Sequence, residues 1–177
     1  PSNGKLVEPY YIESVRDRNG VLLEAHDEAE FEQVIEPGVA SVTTWLLQGV
    51  VDGGTGYKAK KALGLQGLAG KTGTTNDEKD AWFVGFTPNV ITAAWVGFDQ
   101  PKSLGLSSTG GRTALPIWIE YMREAAPKAD DRPFRWDGDL EWAEIDETTG
   151  RHVLSGGRKY PFLEGTVPES TGIAAGQ

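Results

Sequence analysis

The N-terminal part of the chain alternates between apolar and polar side chains, as β-strands do. Residues 10–16 alternate and are rich in β-branched and aromatic side chains, and residues 21–25 form a second β-rich stretch. Asn19-Gly20 lies between the two stretches and is a signal for a tight turn. The pattern therefore predicts an antiparallel β-hairpin over residues 10–25.

After Pro37-Gly38 the apolar spacing changes to that of a helix. Apolar residues recur every three or four positions, at Val39, Val42, Leu46 and Val50. This spacing predicts a helix over residues 39–51, with Pro37 as its start signal and Gly53-Gly54-Thr55-Gly56 as its break. Residues 57–63 are compatible with a further short helical turn before Gly64.

Three short β-rich segments follow, joined by the turn sequences Asn76-Asp77 and Pro88-Asn89. They cover residues 68–75, 81–86 and 90–98. Because the connections are short, this pattern predicts an antiparallel meander. A loop over residues 107–113 and a helix over residues 115–126 come next, and Pro116 is tolerated in the first turn of that helix.

The composition shifts beyond Pro127. Residues 130–133 resemble a linker, and residues 140–145 and 151–154, with Thr149-Gly150 between them, predict a small hairpin. We therefore divide the chain into a main part, residues 1–126, and a C-terminal linker with a small β appendage, residues 127–177.

Composition and charge exclude several classes of protein. Hydrophobic residues make up 38% of the 177 residues, which argues against a disordered chain. The formal charge is −9 and there is no basic run, so we expect no nucleic-acid partner and no membrane contact from this chain itself. The absence of cysteine excludes disulfides and thiolate metal ligands.

The start of the chain is unlike that of a complete exported protein. No apolar run is long enough to cross a membrane, since the best one, residues 90–97, has the length of a strand. The chain begins at Pro1 without an initiator Met or a signal segment. We expect it to be a piece of a longer protein whose anchor or export signal lies outside it.

The motif Gly70-Lys71-Thr72-Gly73-Thr74-Thr75 carries the most chemical information, because it lies on a predicted strand. Thr72 and Thr74 project from one face of an extended strand, so both hydroxyls can donate hydrogen bonds to the same carboxylate. Lys71 adds a fixed positive charge, and Gly73 leaves room for another backbone. The Thr74 amide can point at a developing oxyanion if this strand borders a cleft. The alternative interpretation is a surface β-turn.

Longer motifs accompany this one. They are Gly49-Val50-Val51, Gly54-Thr55-Gly56, residues 69–77, residues 80–88, residues 94–99, Thr109-Gly110-Gly111-Arg112 and residues 114–118. Over residues 1–126 they closely resemble class A penicillin-binding proteins. The resemblance implies an α+β fold in which an antiparallel sheet is flanked by helices, of the penicillin-binding protein and serine β-lactamase type, and incomplete in this chain. We expect the hairpin to supply two strands of the sheet and the meander three.

Members of that family are bifunctional. A glycosyltransferase domain polymerises glycan, and a transpeptidase domain cross-links stem peptides of peptidoglycan through an acyl-serine intermediate that β-lactams trap. The transpeptidase needs Ser-x-x-Lys with the nucleophile, Ser-x-Asn with a relay serine, and Lys-Thr-Gly. Only the third element is present here, so the resemblance implies an enzymatic parent protein and an inactive isolated chain.

The resemblance also implies roles for individual residues. Lys71 and Thr74 are catalytic: Lys71 supports the two serines electrostatically, and the Thr74 amide completes the oxyanion hole. The substrate-binding residues are Lys71, Thr72, Gly73, Thr74 and Thr75, and the hydroxyls of Thr72 and Thr74 bind the terminal carboxylate of the substrate. No cofactor and no metal ion are expected.

The implied partners are a stem peptide ending in D-Ala-D-Ala, β-lactams, and the N-terminal half of the same transpeptidase domain. The implied location is extracytoplasmic, in the periplasm or on the outer face of the cytoplasmic membrane, with a membrane-anchored parent. Two alternatives stay open: a D,D-carboxypeptidase or β-lactamase, in which water accepts the acyl group, and a non-catalytic penicillin-sensing domain.

Two other motifs only imitate functional sequences. Ser2-Asn3-Gly4-Lys5 spells Ser-x-x-Lys, but Asn3-Gly4 is a turn sequence and the mechanism needs a rigid helix. Residues 64–72 almost spell a phosphate-binding loop, but the spacing has one residue too many and Gly73 follows where a helix should begin.

The remaining polar and aromatic candidates are predicted to be structural. The acidic turn at residues 76–80 lacks the ligand spacing of a calcium loop. His26 and His152 have no paired carboxylate or second histidine nearby in sequence. We expect three tryptophans to be core residues, namely Trp82, Trp95 and Trp118.

Overall fold

The computed structural model describes residues 2–26, 31–126, 131–170, 172 and 174–175. The helices in these ranges are α1 (Pro37–Asp52), α2 (Tyr57–Leu63) and α3 (Ala114–Ala125). The strands are β1 (Lys5–Val7), β2 (Ser14–Arg16), β3 (Leu22–Ala25), β4 (Phe31–Gln33), β5 (Ala69–Thr74), β6 (Ala81–Phe86), β7 (Ile91–Val96), β8 (Leu140–Asp146), β9 (Arg151–Val153) and β10 (Arg158–Leu163). They pair into two two-stranded and two three-stranded antiparallel sheets.

The predicted N-terminal hairpin is confirmed, because β2 and β3 pair antiparallel. One carboxylate oxygen of Asp17 stabilises the turn by accepting hydrogen bonds from the amides of Asn19 (2.7 Å) and Val21 (2.9 Å). The hairpin forms a sheet of its own, so the expectation that it would extend the meander is wrong. The residues of both strands are exposed, and neither face of the hairpin is therefore buried against the described part of the chain.

The helix predicted after Pro37 is also confirmed. Proline stands in the first turn of α1, where the missing N–H costs nothing. The helix ends at Gly53, whose amide donates to the carbonyl of Gly49 at 3.3 Å. After the break, α2 ends at Gly64, which adopts the left-handed backbone conformation (φ 64°) that glycine tolerates best.

The meander forms a sheet in the order β5-β6-β7, and the main core covers one of its faces. Phe83 of β6 packs edge-on against Trp118 of α3, with 5.0 Å between the ring centroids. Several large side chains of this core are fully buried: Trp118, Phe83, Leu68, Leu115, Met122 and Val51. In this arrangement α3 packs against β6 and β7, α1 packs against β5, and α2 packs against α1 and α3.

The three tryptophans do not share one environment. Trp118 is fully buried, as predicted, but Trp82 is 41% and Trp95 45% exposed, so the prediction for these two is wrong. Trp82 and Trp95 stand opposite each other in the β6–β7 register, one position out of phase with Phe83. Because side chains alternate between the faces of a strand, both point away from the main core.

The predicted C-terminal hairpin is confirmed, because β8 and β9 pair antiparallel, and a third strand extends it to a sheet in the order β10-β8-β9. The sequence pattern missed β10, because it contains Pro161, which argues against a strand, and several polar residues. Ser41 of α1 holds the segment that leads into β8: its hydroxyl donates to the Asp137 carbonyl (2.8 Å) and accepts from the Asp137 amide (2.9 Å). Residues 127–130, which include the start of the predicted linker, lie outside the described residues.

Candidate functional site

Strand β5 carries the Lys-Thr-Gly motif and lies at an edge of its sheet; within the described ranges, only β6 pairs with it. Beyond the last pair, Thr74 with Ala81, the Thr75 amide donates to the Asp80 carbonyl at 3.1 Å. Hydrogen-bonded pairs alternate along an antiparallel ladder, so the backbone polar groups of Thr72 and Thr74 point away from β6. The amide of Thr74 therefore faces the open edge, as an oxyanion donor must.

The side chain of Lys71 reaches the same open edge. Its ammonium donates to the carbonyl of Thr72 at 2.7 Å, and this carbonyl points away from β6. Lys71 is exposed in the described chain. A positive charge thus lies next to the outward-facing amides, where it can attract an anionic group.

Two loops hold the hydroxyls of this strand. The Thr72 hydroxyl lies 3.0 Å from that of Thr55, in the break between α1 and α2. The Thr74 hydroxyl accepts a hydrogen bond from the amide of Gly110, in the loop before α3, at 3.1 Å. The side chains of Thr72 and Thr74 project from the same face of β5, as predicted. Their hydroxyls are held by hydrogen bonds to residues from other parts of the chain.

The close backbone approach predicted at Gly73 is found at Gly110 instead. A Cβ at Gly110 would collide with the Trp82 carbonyl oxygen and lie 2.7 Å from that of Gly73. A Cβ at Gly73 would meet the Cβ of Trp82 at 3.2 Å, a tight contact with a side chain. Gly110 therefore allows the loop before α3 to pack closely on one face of the sheet, and Gly73 allows the Trp82 side chain to pack closely on the other face.

Thr75 lies in the turn that follows β5. Its hydroxyl donates to the Asp80 carboxylate at 3.2 Å and accepts from the Asp80 amide at 2.8 Å. The structure thus brings together Lys71, Thr72, Gly73 and Thr74 along the open edge, and places Thr75 where it closes the β5–β6 connection.

The acidic turn beyond β5 is tied to a neighbouring loop. The Glu78 carboxylate accepts from the Ser107 amide at 2.8 Å, and the Glu78 carbonyl accepts from the Leu104 amide at 2.9 Å. Asp80 accepts a hydrogen bond from the Trp95 indole at 2.9 Å. No group of three potential metal ligands occurs among the residues that the structure describes. The turn braces the loop that leads to Gly110.

The two motifs that only resemble functional sequences have the non-functional structures that the sequence indicated. Asn3 and Gly4 have positive φ angles (50° and 80°) and form a turn, so Ser2 and Lys5 are not one helical turn apart. The segment that resembles a phosphate-binding loop continues as strand β5, with no helix after the lysine.

Two groups of the site, Thr55 and the Gly110 amide, are not among the residues predicted from the sequence. The motif Gly54-Thr55-Gly56 is compatible with a cleft rim, but a helix stop is enough to explain it, and residues 107–113 are predicted only as a loop. Both residues lie in motifs that match the same family, Gly54-Thr55-Gly56 and Thr109-Gly110-Gly111-Arg112. The occurrence of both residues in motifs of one family could have placed them near the site, because no local pattern relates either residue to β5.

Comparison with known proteins decides the family. Residues 2–122 match the model of the penicillin-binding protein transpeptidase domain. The chain belongs to this family. In the part of the chain that the structure describes, no helix combines the length and the apolar character needed to span a membrane.

Curated relatives of the chain include penicillin-binding proteins 1A. That of Rickettsia typhi is 36% identical over an aligned length of 177, and the alignment covers 88% of this chain and 22% of the relative. That of Neisseria gonorrhoeae is 46% identical over an aligned length of 130, and the alignment covers 70% of this chain and 16% of the relative. The chain therefore spans less than a quarter of the length of these relatives.

A solved structure supports the same assignment for the fold. Penicillin-binding protein 1A from Haemophilus influenzae superposes with a TM-score of 0.87 at 29% identity, covering 94% of this chain and 30% of that one. The combination of helices and antiparallel sheet is thus that of penicillin-binding transpeptidases, which confirms the predicted α+β class.

Proposed function

We propose that this chain is part of a peptidoglycan D,D-transpeptidase and supplies the strand that binds the donor peptide. Residues 1–126 are then the C-terminal half of the transpeptidase domain of a class A penicillin-binding protein, and residues 127–177 are its C-terminal appendage. The observation that carries the proposal is the open edge of β5, where the Thr74 amide, the Lys71 ammonium and the hydroxyl of Thr72 lie together.

The proposed substrate is a stem peptide ending in D-Ala-D-Ala. Its terminal carboxylate would accept hydrogen bonds from the hydroxyls of Thr72 and Thr74, which share one face of β5. Two hydrogen bonds from neighbouring hydroxyls to one charged group would fix the register of the peptide along the strand. Gly73 lies between the two threonines, and Thr75 positions the strand by closing its turn.

The proposed reaction is acyl transfer through a serine supplied by the N-terminal half of the domain. The serine oxygen attacks the carbonyl of the penultimate D-Ala, and the negative charge that develops on the carbonyl oxygen is stabilised by the Thr74 amide. The positive charge of Lys71 favours transfer of the proton of the attacking serine, through the relay serine, to the nitrogen of the terminal D-Ala. The bond from the carbonyl carbon to that nitrogen breaks, and D-Ala leaves as a free amine. An amine of a second stem peptide then attacks the ester, its proton returns to the serine oxygen, and the cross-link forms as the serine is released.

β-Lactams are proposed to enter the same site, because their carboxylate and strained amide match the groups that the strand recognises. The parent protein would be membrane-anchored and extracytoplasmic, in the periplasm or on the outer face of the cytoplasmic membrane. The activity needs no metal ion or cofactor in this scheme, since the amide, the lysine and the serines supply the acid-base and electrostatic functions.

Product analysis on the complete parent protein tests the proposal. With a peptide ending in D-Ala-D-Ala and an amine acceptor, we expect cross-linked product to form in proportion to released D-Ala, and prior treatment with penicillin to stop both. Release of D-Ala to water without cross-linked product, at every acceptor concentration, would show a carboxypeptidase. The absence of both products would remove the enzymatic proposal.

A further inference from the structure

The threonine hydroxyls of β5 are held by contacts that determine which way their protons point. A hydroxyl has one proton to donate and two lone pairs that accept. Gly110 offers the Thr74 hydroxyl an N–H at 3.1 Å, and an amide nitrogen cannot accept in return. The Thr74 oxygen is therefore the acceptor in this contact, and its own proton remains available for another group.

The second contact joins Thr72 to Thr55 at 3.0 Å, and either hydroxyl can be its donor. A carboxylate only accepts hydrogen bonds, so a Thr72 proton engaged by a carboxylate is no longer available to Thr55. The Thr55 hydroxyl must then donate to Thr72. Linked hydroxyls of this kind polarise one another, which strengthens the bond to the final acceptor.

The two loops that make these contacts are packed against each other. A Cβ at Gly111 would lie 3.0 Å from the carbonyl oxygen of Thr55, so the loop before α3 closely approaches the break between α1 and α2. A Cβ at Gly110 would collide with the Trp82 carbonyl oxygen, so this loop can approach the sheet only with glycine at that position. The two hydroxyl contacts therefore come from loops that are packed together over β5.

We propose that Thr55 is a positioning residue which, together with the Gly110 amide, directs the hydroxyl protons of Thr72 and Thr74 towards the carboxylate of the bound peptide or β-lactam. The inference rests on the proposed function, since it concerns recognition of the substrate by that site. Thr55 acts through Thr72 and makes no contact of its own with the reacting carbonyl in this scheme.

The test compares acylation of the complete parent protein by a penicillin and by the neutral methyl ester of the same penicillin. Thr55→Val removes the hydroxyl and retains the shape of the side chain. We expect it to lower the second-order acylation constant for the free carboxylate by about threefold to tenfold, the effect of one hydrogen bond, and to leave the constant for the ester unchanged. Thr55→Ser keeps the hydroxyl and should restore the preference for the carboxylate.

Thr166→Val is the matched control, because it removes a hydroxyl that donates to the Leu163 carbonyl in the C-terminal sheet region, and it should alter neither constant. Equal losses for both compounds in Thr55→Val, or no loss for either, would overturn the inference while leaving the proposed function intact. A wild-type parent that penicillin does not acylate would overturn the proposed function, and the inference with it.

Discussion

Replacing Lys71 with alanine in the complete parent protein is expected to lower acylation by penicillin by about two to three powers of ten, the scale of losing one preorganised electrostatic group. The ammonium lies at the open edge of β5, held at 2.7 Å by the carbonyl of Thr72. Once the N-terminal half of the domain and a ligand cover this edge, water is excluded and the charge acts at close range. The effect should therefore fall on the penicillin and on its neutral ester alike.

Thr74→Ala is the comparison for this experiment, because it keeps the backbone amide that faces the open edge. We expect a loss of about 1–2 kcal/mol in the activation free energy of acylation, mainly with compounds that bear the carboxylate. The change also leaves the Gly110 amide without its hydroxyl acceptor, so the melting temperature of each variant must be measured. If Thr74→Ala were as damaging as Lys71→Ala with both compounds, or if neither mattered, the assignment of β5 as the substrate-binding edge would be wrong.

The isolated chain is expected to form no stable adduct with a fluorescent penicillin, whereas the complete parent should be labelled stoichiometrically. Acylation needs a serine activated by a nearby lysine on a rigid element, and of the three family motifs this chain contains only Lys-Thr-Gly. Ser2 precedes the turn Asn3-Gly4, and the Lys5 ammonium lies over the ring of Phe31, 5.7 Å from its centroid. Neither geometry activates Ser2.

Labelling of both proteins at equal concentration, followed by mass-spectrometric mapping of the modified residue, measures this difference. In the parent, the adduct should map to a serine outside residues 1–177. A stoichiometric, serine-linked adduct on the isolated chain would contradict the prediction, and its position would show whether Ser2 is a nucleophile after all.

Local patterns were sufficient for several of the individual elements of this fold, although not for β10. The turn at Asn19-Gly20, the helical spacing after Pro37 and the three β-rich segments each contain their own signals, and each element is present. How the elements pack together depends on which of their surfaces meet in the folded chain, and a local sequence pattern carries no information about that. The hairpin therefore proved to be a separate sheet, and Trp82 and Trp95 proved to lie on the exposed face of theirs.

The candidate site divides in the same way. Lys71, Thr72 and Thr74 were predictable because side chains alternate along a strand, which fixes the relative directions of residues this close in sequence. Thr55 and Gly110 reach β5 only through folding, across sequence separations of 17 and 36 residues. The side of β5 that stays unpaired likewise follows from the sheet order and not from the motif.

A crystal structure of the complete parent acylated by a penicillin would test most directly whether β5 is the substrate-binding edge. We predict the carbonyl oxygen of the adduct at about 2.7–3.1 Å from the Thr74 amide nitrogen, with the carboxylate of the adduct hydrogen-bonded to the hydroxyls of Thr72 and Thr74. An adduct whose carbonyl oxygen and carboxylate make no contact with residues 71–74 would contradict the account.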